Sequence, residues 1–309
     1  MPTNRSMIEK SLVPGVHEMV GLSYGETPEE HKPLFEILNS QRSFEEEVYV
    51  SGMGGALLKP EGTAVQFDDI QETYTARWQH ETVAIAFAVT KEAFDDDLYD
   101  TIARAKAQEL GRAMADTKQV KAAAVFNNAF NAAFPGGDGV SLINAAHPTS
   151  VGTFSNDAGG APLSEVALED AHVAISKLTN DRGILLALRP SSLHLPPELQ
   201  WTAEKILNST LTTQVFENVA LDAATNRNDL NALNSTGKYP GGVYLNHRFT
   251  SPTAWFIKTT ANNGTKMFIR ESLGGDTDTD FVTDNMLFKF RERYSFGWMD
   301  PRQWYGSNA

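Results

Sequence analysis

The stretch MLFKFRERYSFGW, residues 286–298, has the strongest periodicity in the chain. Every second residue is large and apolar, with Glu292 as the single interruption, and the residues between them are mostly charged or polar. Because successive side chains of a strand point to opposite faces, this pattern predicts a long amphipathic strand. The apolar face of that strand needs a partner elsewhere in the fold.

Two other segments can provide that partner. Residues 82–89, TVAIAFAV, alternate large with small apolar side chains, which predicts a second strand. Residues 98–134 are rich in Ala, the strongest helix former, and contain no Pro. At ~1.5 Å per residue they predict a helix about 50 Å long, which would serve as the spine of the fold.

The spine helix carries further signals. Gly111 lies inside it, at a cost of about 1 kcal/mol relative to Ala. Asp95, Asp96 and Asp97 precede it, where the helix dipole favours negative charge. Successive helical residues do not converge on one point, so capping by these aspartates is favoured over a metal site. The predicted apolar stripe of the helix consists of Leu98, Ile102, Leu110, Met114, Val120 and Ala124.

The order of these patterns divides the chain into five segments. Residues 1–38 are predicted to be an irregular arm, with a short helix near residues 7–12, that needs another surface to lie on. Residues 39–81 are interpreted as an extended loop, a long β-hairpin with strands near 48–50 and 73–78. Residues 82–163 hold the spine helix. A second domain is predicted for residues 164–275, and residues 276–309 are predicted to return to the first domain.

Two local features belong to the later segments. Ser164 precedes a run with helical periodicity and is predicted to cap its N-terminus. Trp304 and Tyr305 follow the long strand near the end of the sequence, and we expect both of them near the surface.

The tip of the predicted hairpin, GMGGALLKPEG at residues 52–62, has the glycines of a phosphate-binding loop. A nucleotide site would need a Gly that opens a helix, or a Lys followed by Ser or Thr, and this segment has neither. With arms of ~16 residues each, the hairpin would reach about 50 Å, past its own core. We expect its exposed strand edges to be covered by another copy of the same chain.

Composition excludes several classes of function. Of the 309 residues, 41% are hydrophobic and 21% are charged, as in a typical globular protein, and no run is long enough to span a bilayer. The chain has no Cys, which excludes disulfides, thiolate metal sites and cysteine nucleophiles. A net charge of −13 argues against specific nucleic-acid recognition. The N-terminus lacks the apolar core of a secretion signal.

The candidates for catalysis are all incomplete. His80-Glu81 lacks the second His of a zinc-protease helix, because position 84 is Ala. His147 could act as a general base, but no partner is visible in the sequence, so a structural His in a turn is favoured. Arg291 and Arg293 could hold a phosphate, but on a strand they are expected to face solvent or pair with carboxylates. We therefore predict no catalytic residue.

The candidate metal site is incomplete as well. Asp276, Asp278 and Asp280 mimic the start of a calcium-binding loop. Phe281 occupies the position where that loop needs Gly, and Leu287 occupies the position where it needs Glu. A solvated turn is therefore favoured at residues 276–280, and we predict neither a metal nor a cofactor.

Three stretches point to a known family. They are DGVSLINAAHPT (138–149), LRPSSLHLPPELQWTAEKILNS (188–209) and FKFRERYSFGWMDPRQWYGS (288–307). In order and spacing they resemble the major capsid proteins of tailed bacteriophages, including the Mu-like prophage head subunits. The first stretch resembles that family's loop after the spine helix, and the second resembles its segment with Arg-Pro and Pro-Pro. The third resembles its C-terminal ending with Arg-x-Trp-Tyr. The resemblance runs from about residue 30 to the end of the sequence.

The resemblance implies the Hong Kong ninety-seven type capsid fold, which is of the α+β class. Residues 1–38 and 39–81 would then be the arm and the extended loop that overlap neighbouring subunits. Residues 82–163 and 276–309 would form a peripheral domain, and residues 164–275 an axial domain at the centre of hexamers and pentamers. Some family members join a loop Lys to an Asn of a neighbour. Lys59 lies in the corresponding region, but its partner and the activating Glu cannot be identified, so a solvated Lys59 is favoured.

The expected function is that of a structural major capsid protein, not an enzyme, that self-assembles into an icosahedral bacteriophage head enclosing double-stranded DNA. Expected partners are further copies of the chain, a portal protein at one vertex, and separate scaffolding and decoration proteins. Sequence-specific DNA binding and membrane contact are not expected. The expected location is the virion capsid, assembled in the bacterial host cytoplasm. Two alternatives remain open. One is an encapsulin-type nanocompartment shell protein, and the other is a hydrolase that uses His147 or the aspartates at 276–280.

Overall fold

The computed structural model describes residues 6–92, 99–209, 231, 233 and 237–309, and their side chains except at residues 6–14 and 99–102. The chain forms two compact units. The first comprises Met1–Glu45, Trp78–Ala122 and Met267–Phe296, and the second comprises Glu46–Arg77, Ala123–Lys266 and Gly297–Ala309. The predicted aspartate cap at 95–97 and the side chains predicted at positions 98 and 102 of the stripe lie outside the described residues.

The first unit is organised around the long strand predicted from residues 286–298. A four-stranded sheet has the order β1-β10-β11-β4, where β1 is Glu36–Asn39, β4 is Glu81–Val89, β10 is Thr265–Thr279 and β11 is Met286–Trp298. β11 runs antiparallel to β4, with Met286 opposite Val89 and Tyr294 opposite Glu81. Phe288, Phe290 and Tyr294 are buried, so both predicted strands and the apolar face of β11 are confirmed.

The predicted spine helix is also present, as α2, Tyr99–Asn127, although it ends before the predicted end at residue 134. Its buried side chains pack with those of α1 (Ser6–Glu26), β4 and β11 in one apolar core. The predicted stripe is wrong at Val120, which is half exposed, whereas the neighbouring Gln119 is buried. Gln119 Oε1 accepts a hydrogen bond of 3.0 Å from the backbone N–H of His31, so a polar contact and not an apolar one fixes this part of the helix surface. The core consists of Val16, Val20, Val89, Ala103, Ala107, Leu110, Met114, Phe288 and Phe290.

The N-terminal segment differs from the prediction. Instead of an irregular arm, residues 6–26 form α1, which continues through position 14, although an interior Pro costs a helix about 3 kcal/mol. Val16 and Val20 are buried in the core of the first unit, and Phe35 lies 5.0 Å from the ring of Phe296. Burial of this apolar face outweighs the unfavourable local sequence. The surface on which residues 16–35 were predicted to lie is therefore provided by the first unit itself.

Glu292, the one interruption of the apolar face of β11, is completely buried and paired. Its Oε2 lies 2.6 Å from Lys118 Nζ of α2 and accepts a hydrogen bond of 3.0 Å from the hydroxyl of Tyr24 in α1. The Lys118 ammonium also lies 5.3 Å from the centre of the Tyr294 ring. Burial, together with the negative charge of Glu292, raises the pKa of Tyr24. This ion pair joins three elements of the first unit at their centre.

Gly111 provides a test of packing against helix propensity. A Cβ atom at this position would lie 2.6 Å from the carbonyl oxygen of Val20 and 3.0 Å from Ser23 Cβ, so α1 can approach α2 only because position 111 lacks a side chain. In Gly111→Ala, the better helix propensity of Ala would raise the free energy of unfolding by about 1 kcal/mol, and overpacking against α1 would lower it by about 1–3 kcal/mol. We expect a net loss of stability, measured as a lower urea midpoint.

The control for this prediction is Ala113→Gly, at an exposed position two residues further along the same helix. This substitution changes the helix propensity without changing the packing, and it should lower the free energy of unfolding by about 1 kcal/mol. A higher urea midpoint for Gly111→Ala than for the parent chain would contradict the packing explanation.

The second unit contains another four-stranded sheet, in the order β12-β9-β7-β8. Its strands are β7 (Pro190–Leu195), β8 (Val243–Leu245), β9 (Trp255–Thr259) and β12 (Trp304–Ser307). β8 runs parallel to β7, and the other pairs are antiparallel. Because β12 pairs with β9, Trp304 and Tyr305 are buried, and the prediction that they lie near the surface is wrong.

Helices cover the core of the second unit. α3 (Glu165–Ser176) begins as predicted at Ser164, whose hydroxyl oxygen accepts a hydrogen bond from the backbone N–H of Ala167. A short 3-10 turn, Pro197–Leu199, leads into α4 (Gln200–Asn208). Apolar side chains of both helices meet those of β7 and β9 in a core that includes Leu168, Ile175, Leu193, Leu195, Ile206, Trp255 and Ile257. The α+β class is thus confirmed.

Candidate assembly surface

The predicted hairpin is present but only partly paired. β2 (Phe44–Val50) and β3 (Glu72–Gln79) form a two-stranded sheet at the positions predicted for its strands. Residues 51–71 between them, called the apolar loop below, contain no strand and turn back near Glu61 and Gly62. The ladder is half as long as predicted because the glycines and Pro60 in the tip interrupt it.

The apolar loop exposes large hydrophobic side chains to solvent. Leu57 is 72% exposed, Leu58 is 95% exposed and Phe67 is 99% exposed, and Met53, Val65 and Ile70 are also exposed. A contiguous apolar segment of this kind marks a surface that another molecule covers. The loop is therefore the strongest candidate for an assembly surface among the described residues.

Two tyrosines fix the root of the apolar loop. Tyr49 of β2 and Tyr74 of β3 stack with their ring centres 4.9 Å apart and their planes nearly parallel. The Tyr74 hydroxyl donates a hydrogen bond of 3.0 Å to the carbonyl oxygen of Met299. A Cβ atom at position 137 would lie 2.9 Å from the Tyr74 ring, so Gly137 permits this close approach. The base of the loop is thus packed and hydrogen-bonded within the second unit.

Arg302 lies at the centre of a buried polar cluster beside this root. Its Nη2 lies 2.5 Å from Asp181 Oδ1, and its Nη1 lies 3.2 Å from Asp300 Oδ1. Its Nε donates a hydrogen bond of 2.9 Å to the carbonyl oxygen of Thr179. Burial raises the pKa of Asp300, and the positive charge of Arg302 partly offsets this effect by lowering the same pKa. The guanidinium of Arg302 thus binds the carboxylates of both Asp181 and Asp300.

The same guanidinium reaches the root of the loop directly. Arg302 Nη1 donates a hydrogen bond of 3.0 Å to the Tyr49 hydroxyl, and the guanidinium lies 4.2 Å from the centre of the Phe154 ring. Arg302 therefore joins the C-terminal segment, the turn around Asp181 and the first strand of the hairpin. Sequence reasoning singled out the Arg-x-Trp-Tyr ending but not this role, because the partners of Arg302, with the exception of Asp300, lie more than 120 residues away along the chain.

His147, the candidate general base, has partners that the sequence did not reveal. It is fully buried on β5 (His147–Pro148), which pairs with β6 (Thr153–Phe154). Its Nδ1 lies 2.6 Å from Asp138 Oδ2, and its Nε2 lies 3.1 Å from Asn156 Oδ1. The Asn156 amide nitrogen donates to the carbonyl oxygens of Leu142, Pro301 and Trp304, which fixes Oδ1 as an acceptor.

This geometry gives His147 a structural role. Both ring nitrogens face an oxygen acceptor, Nδ1 that of Asp138 and Nε2 that of Asn156. With both nitrogens bonded and no exposed surface, the ring has no position from which to act on a substrate. This arrangement agrees with the favoured structural role of His147, but the residue lies on a strand and not in the predicted turn.

Two of the remaining candidates, His80 and Arg291, also pair within the fold. His80 lies between β3 and β4, where its Nε2 is 2.9 Å from Ser40 Oγ and its Nδ1 is 3.0 Å from Ser295 Oγ. Arg291 binds both carboxylate oxygens of Glu271 on the adjacent strand, at 2.8 and 3.1 Å, which confirms the predicted carboxylate pairing for this residue. Lys59 is exposed in the apolar loop.

The aspartates at 276–280 do not form the predicted single turn. Asp276 and Asp278 project from the exposed face of β10, and only Asp280 lies in the turn that follows. Asp280 Oδ2 accepts a hydrogen bond of 2.6 Å from the Thr283 hydroxyl. Within the described part of the chain, no three His, Asp or Glu side chains come together as a metal site would require.

Two histidines of the second unit, the buried His194 and the half-buried His172, make its stability depend on pH. His194 is buried, with its Nε2 2.9 Å from Ser192 Oγ, and burial lowers its pKa from 6.5 to about 3. Burial also lowers the pKa of His172 to about 4. Because both pKa values lie below that of the unfolded chain, the stabilising effect is complete above pH 6.5 and is lost as the pH falls toward 4 and 3.

We therefore expect the melting temperature to fall on acidification below about pH 6.5, and to fall less steeply in His194→Gln. One pKa unit corresponds to about 1.4 kcal/mol, so the difference between the two chains should amount to several kcal/mol. Thermal unfolding followed by circular dichroism across this pH range measures it. Parallel pH profiles for the two chains would contradict the assignment.

The comparisons with known proteins agree with this architecture. The family model described as phage capsid protein matches residues 73–307. The structure of a virus-like particle from Pyrococcus furiosus has a TM-score of 0.51 at 12% identity, covering 95% of this chain and 98% of that one. The procapsid of bacteriophage JBD30 has a TM-score of 0.52 at 12% identity, with coverages of 99% and 76%. The capsid of Myoviridae phage XM1 has a TM-score of 0.51 at 11% identity, with coverages of 92% and 93%.

These likenesses confirm the predicted capsid fold. At identities this low, the solved structures establish a common fold and nothing finer. No curated protein sequence matches the chain. Within the part of the chain that the structure describes, no helix combines the length and apolar character needed to cross a bilayer.

Proposed function

The chain belongs to the phage capsid protein family, and from this premise we propose that it assembles through hexamers and pentamers into the icosahedral head of a tailed bacteriophage. As a member of this family it is a structural capsid protein and not an enzyme, so the hydrolase alternative is wrong. The motif stretches at 138–149, 188–209 and 288–307 support placing it among the Mu-like head subunits.

The apolar loop is the observation that carries the proposal. Its most exposed side chains, Leu57, Leu58 and Phe67, contact solvent in the single chain, and each would gain about 1.5–3 kcal/mol if a neighbour buried it. At its root, the stacked rings of Tyr49 and Tyr74 hold the two strands together where the loop begins. A surface repeated on every identical copy suits a closed shell, in which each subunit covers the loop of the next.

The charge of the chain supports a container for DNA over a DNA-binding protein. With 39 acidic and 26 basic residues, the net charge is −13, and phosphate backbones are repelled by such a surface. Packaged DNA would remain mobile against an acidic inner wall. Salt-dependent binding of duplex DNA to the purified subunit would contradict this part of the proposal.

The proposed partners follow from the same role. Other copies of the chain form the shell, a portal protein occupies one vertex, and separate scaffolding and decoration proteins are candidate accessory partners. Assembly is proposed to take place in the cytoplasm of the bacterial host, with the finished protein in the virion capsid.

Imaging of the purified, expressed chain tests the proposal. Closed particles, tubes or rings of five and six subunits in negative-stain micrographs are the expected result. Small uniform monomers at high protein concentration would contradict it. Particles isolated from the native source separate the two container functions, because DNA with a portal indicates a phage head and an enzyme cargo indicates a nanocompartment.

A further inference from the structure

Asp68 closes the neck of the apolar loop. Its Oδ2 accepts a hydrogen bond of 2.6 Å from the backbone N–H of Gly54, on the opposite arm of the loop. Its Oδ1 lies 2.8 Å from Arg182 Nη2 and accepts a bond of 3.0 Å from the N–H of Asp69. These hydrogen bonds, that of Gly54 first, lower the pKa of Asp68, so the carboxylate stays ionised at neutral pH. One side chain thus ties both arms of the loop to Arg182.

The turn that carries Arg182 is itself ordered toward the loop. Asn180 Oδ1 accepts hydrogen bonds from the backbone N–H groups of Arg182 and Ile184, at 2.9 and 2.8 Å. A Cβ atom at position 52 would lie 2.9 Å from Asn180 Nδ2, and one at position 54 would lie 3.0 Å from Asp68 Oδ2. Gly52 and Gly54, which mimic a phosphate-binding loop in the sequence, therefore allow the loop to approach this turn.

We propose that Asp68 and Arg182 form a clasp that positions the apolar loop for contact with a neighbouring copy of the chain. The proposal rests on the proposed shell-forming function. The clasp leaves the apolar side chains of the loop accessible to a neighbour, because Leu58 and Phe67 remain almost fully exposed while the clasp is closed. Beyond the clasp the two arms enclose an open cavity of about 850 Å³, so they do not bury their apolar side chains against each other.

The clasp acts by reducing the conformational freedom of the loop before assembly. Without it, the loop is restrained at the ends of β2 and β3 and at the adjoining pair of Ser51 and Gln71, where the N–H of Ser51 donates a hydrogen bond of 2.8 Å to the carbonyl oxygen of Gln71. With it, the unrestrained part shortens to residues 55–67, so less entropy is lost when a neighbour binds the tip. Asp68 and Arg182 are both partly exposed, which limits the strength of their ion pair. We expect its loss to raise the threshold concentration for assembly about fivefold to tenfold.

Three substitutions test the clasp. Asp68→Ala removes both connections, Arg182→Ala removes one, and Arg182→Lys keeps the charge. Asp69→Ala is the matched control, because it removes a carboxylate from the same arm of the loop. The Asp69 carboxylate accepts a hydrogen bond only from the N–H of the next residue, Ile70. Amide exchange at Gly54, measured below the assembly threshold, should accelerate about tenfold in Asp68→Ala and remain unchanged in Asp69→Ala. The melting temperature of the unassembled subunit should stay the same in all variants.

Light scattering against protein concentration gives the assembly thresholds. We expect higher thresholds for Asp68→Ala and Arg182→Ala, an intermediate one for Arg182→Lys and the parent value for Asp69→Ala. If the parent chain assembles and all variants share its threshold, or if Asp68→Ala assembles more readily, the clasp is overturned while the shell function stands. If the parent chain forms no particles at any concentration, the proposed function fails and the clasp fails with it.

Discussion

Replacement of Leu57, Leu58 and Phe67 by Ser is expected to abolish particle assembly and to leave the folding of the subunit unchanged. These three side chains are largely exposed in the single chain, so removing them costs the subunit no buried contacts. Each side chain buried by a neighbour contributes about 1.5–3 kcal/mol, and their combined loss should raise the assembly threshold at least about a hundredfold. Size-exclusion chromatography and electron microscopy measure assembly, and thermal unfolding checks the subunit.

The control for this variant removes polar side chains from the same loop. Glu61→Ser with Gln66→Ser alters two exposed residues without removing apolar surface, and should assemble like the parent chain. Particles formed by the Leu57, Leu58 and Phe67 triple variant at the parent concentration would show that the apolar loop does not hold the shell together.

Arg302→Met is expected to destabilise the subunit by about 3–5 kcal/mol, since it leaves two buried carboxylates without their counter-charge. Asp181 and Asp300 both lie within 3.2 Å of the guanidinium, and Arg302 itself is only 1% exposed. Because burial already raises the pKa of Asp300, protonation should relieve part of the unpaired charge in the variant. The loss measured by urea unfolding should therefore be smaller at about pH 5 than at about pH 8.

An exposed arginine provides the comparison. Arg112 pairs with Glu109 at 3.0 Å on the surface of α2, where such pairs contribute about 0–1 kcal/mol. Arg112→Met should therefore lie close to the parent chain at every pH. Equal losses for Arg302→Met and Arg112→Met, or a loss at Arg302 that does not depend on pH, would contradict the buried-cluster account.

Periodic segments of this chain were predictable because their signal is local. The alternation in β11 and the Ala-rich composition of α2 each lie within one continuous stretch, and both elements occur where the sequence places them. The helix N-cap at Ser164 depends on a contact three residues away and was predictable for the same reason. The glycines of the hairpin tip did not reveal how short the paired ladder is.

Features that depend on distant contacts were not predictable from the sequence. α1 forms despite Pro14 because Val16 and Val20 are buried against α2 and β11, and no local pattern records that burial. The pairing of His147 with Asp138 requires the backbone between them to turn back, and Asn156 binds carbonyl groups almost 150 residues away. The resemblance to phage capsid proteins located residues 138–149 and 288–307, but it did not indicate that polar residues within them are buried and hold the fold together.

A high-resolution cryo-electron microscopy map of particles assembled from this chain would show where the apolar loop lies in the shell. We expect residues 51–71 of each subunit to lie on an adjacent copy, with Leu58 and Phe67 buried by that copy. A map in which these residues touch only their own subunit or solvent would contradict this expectation.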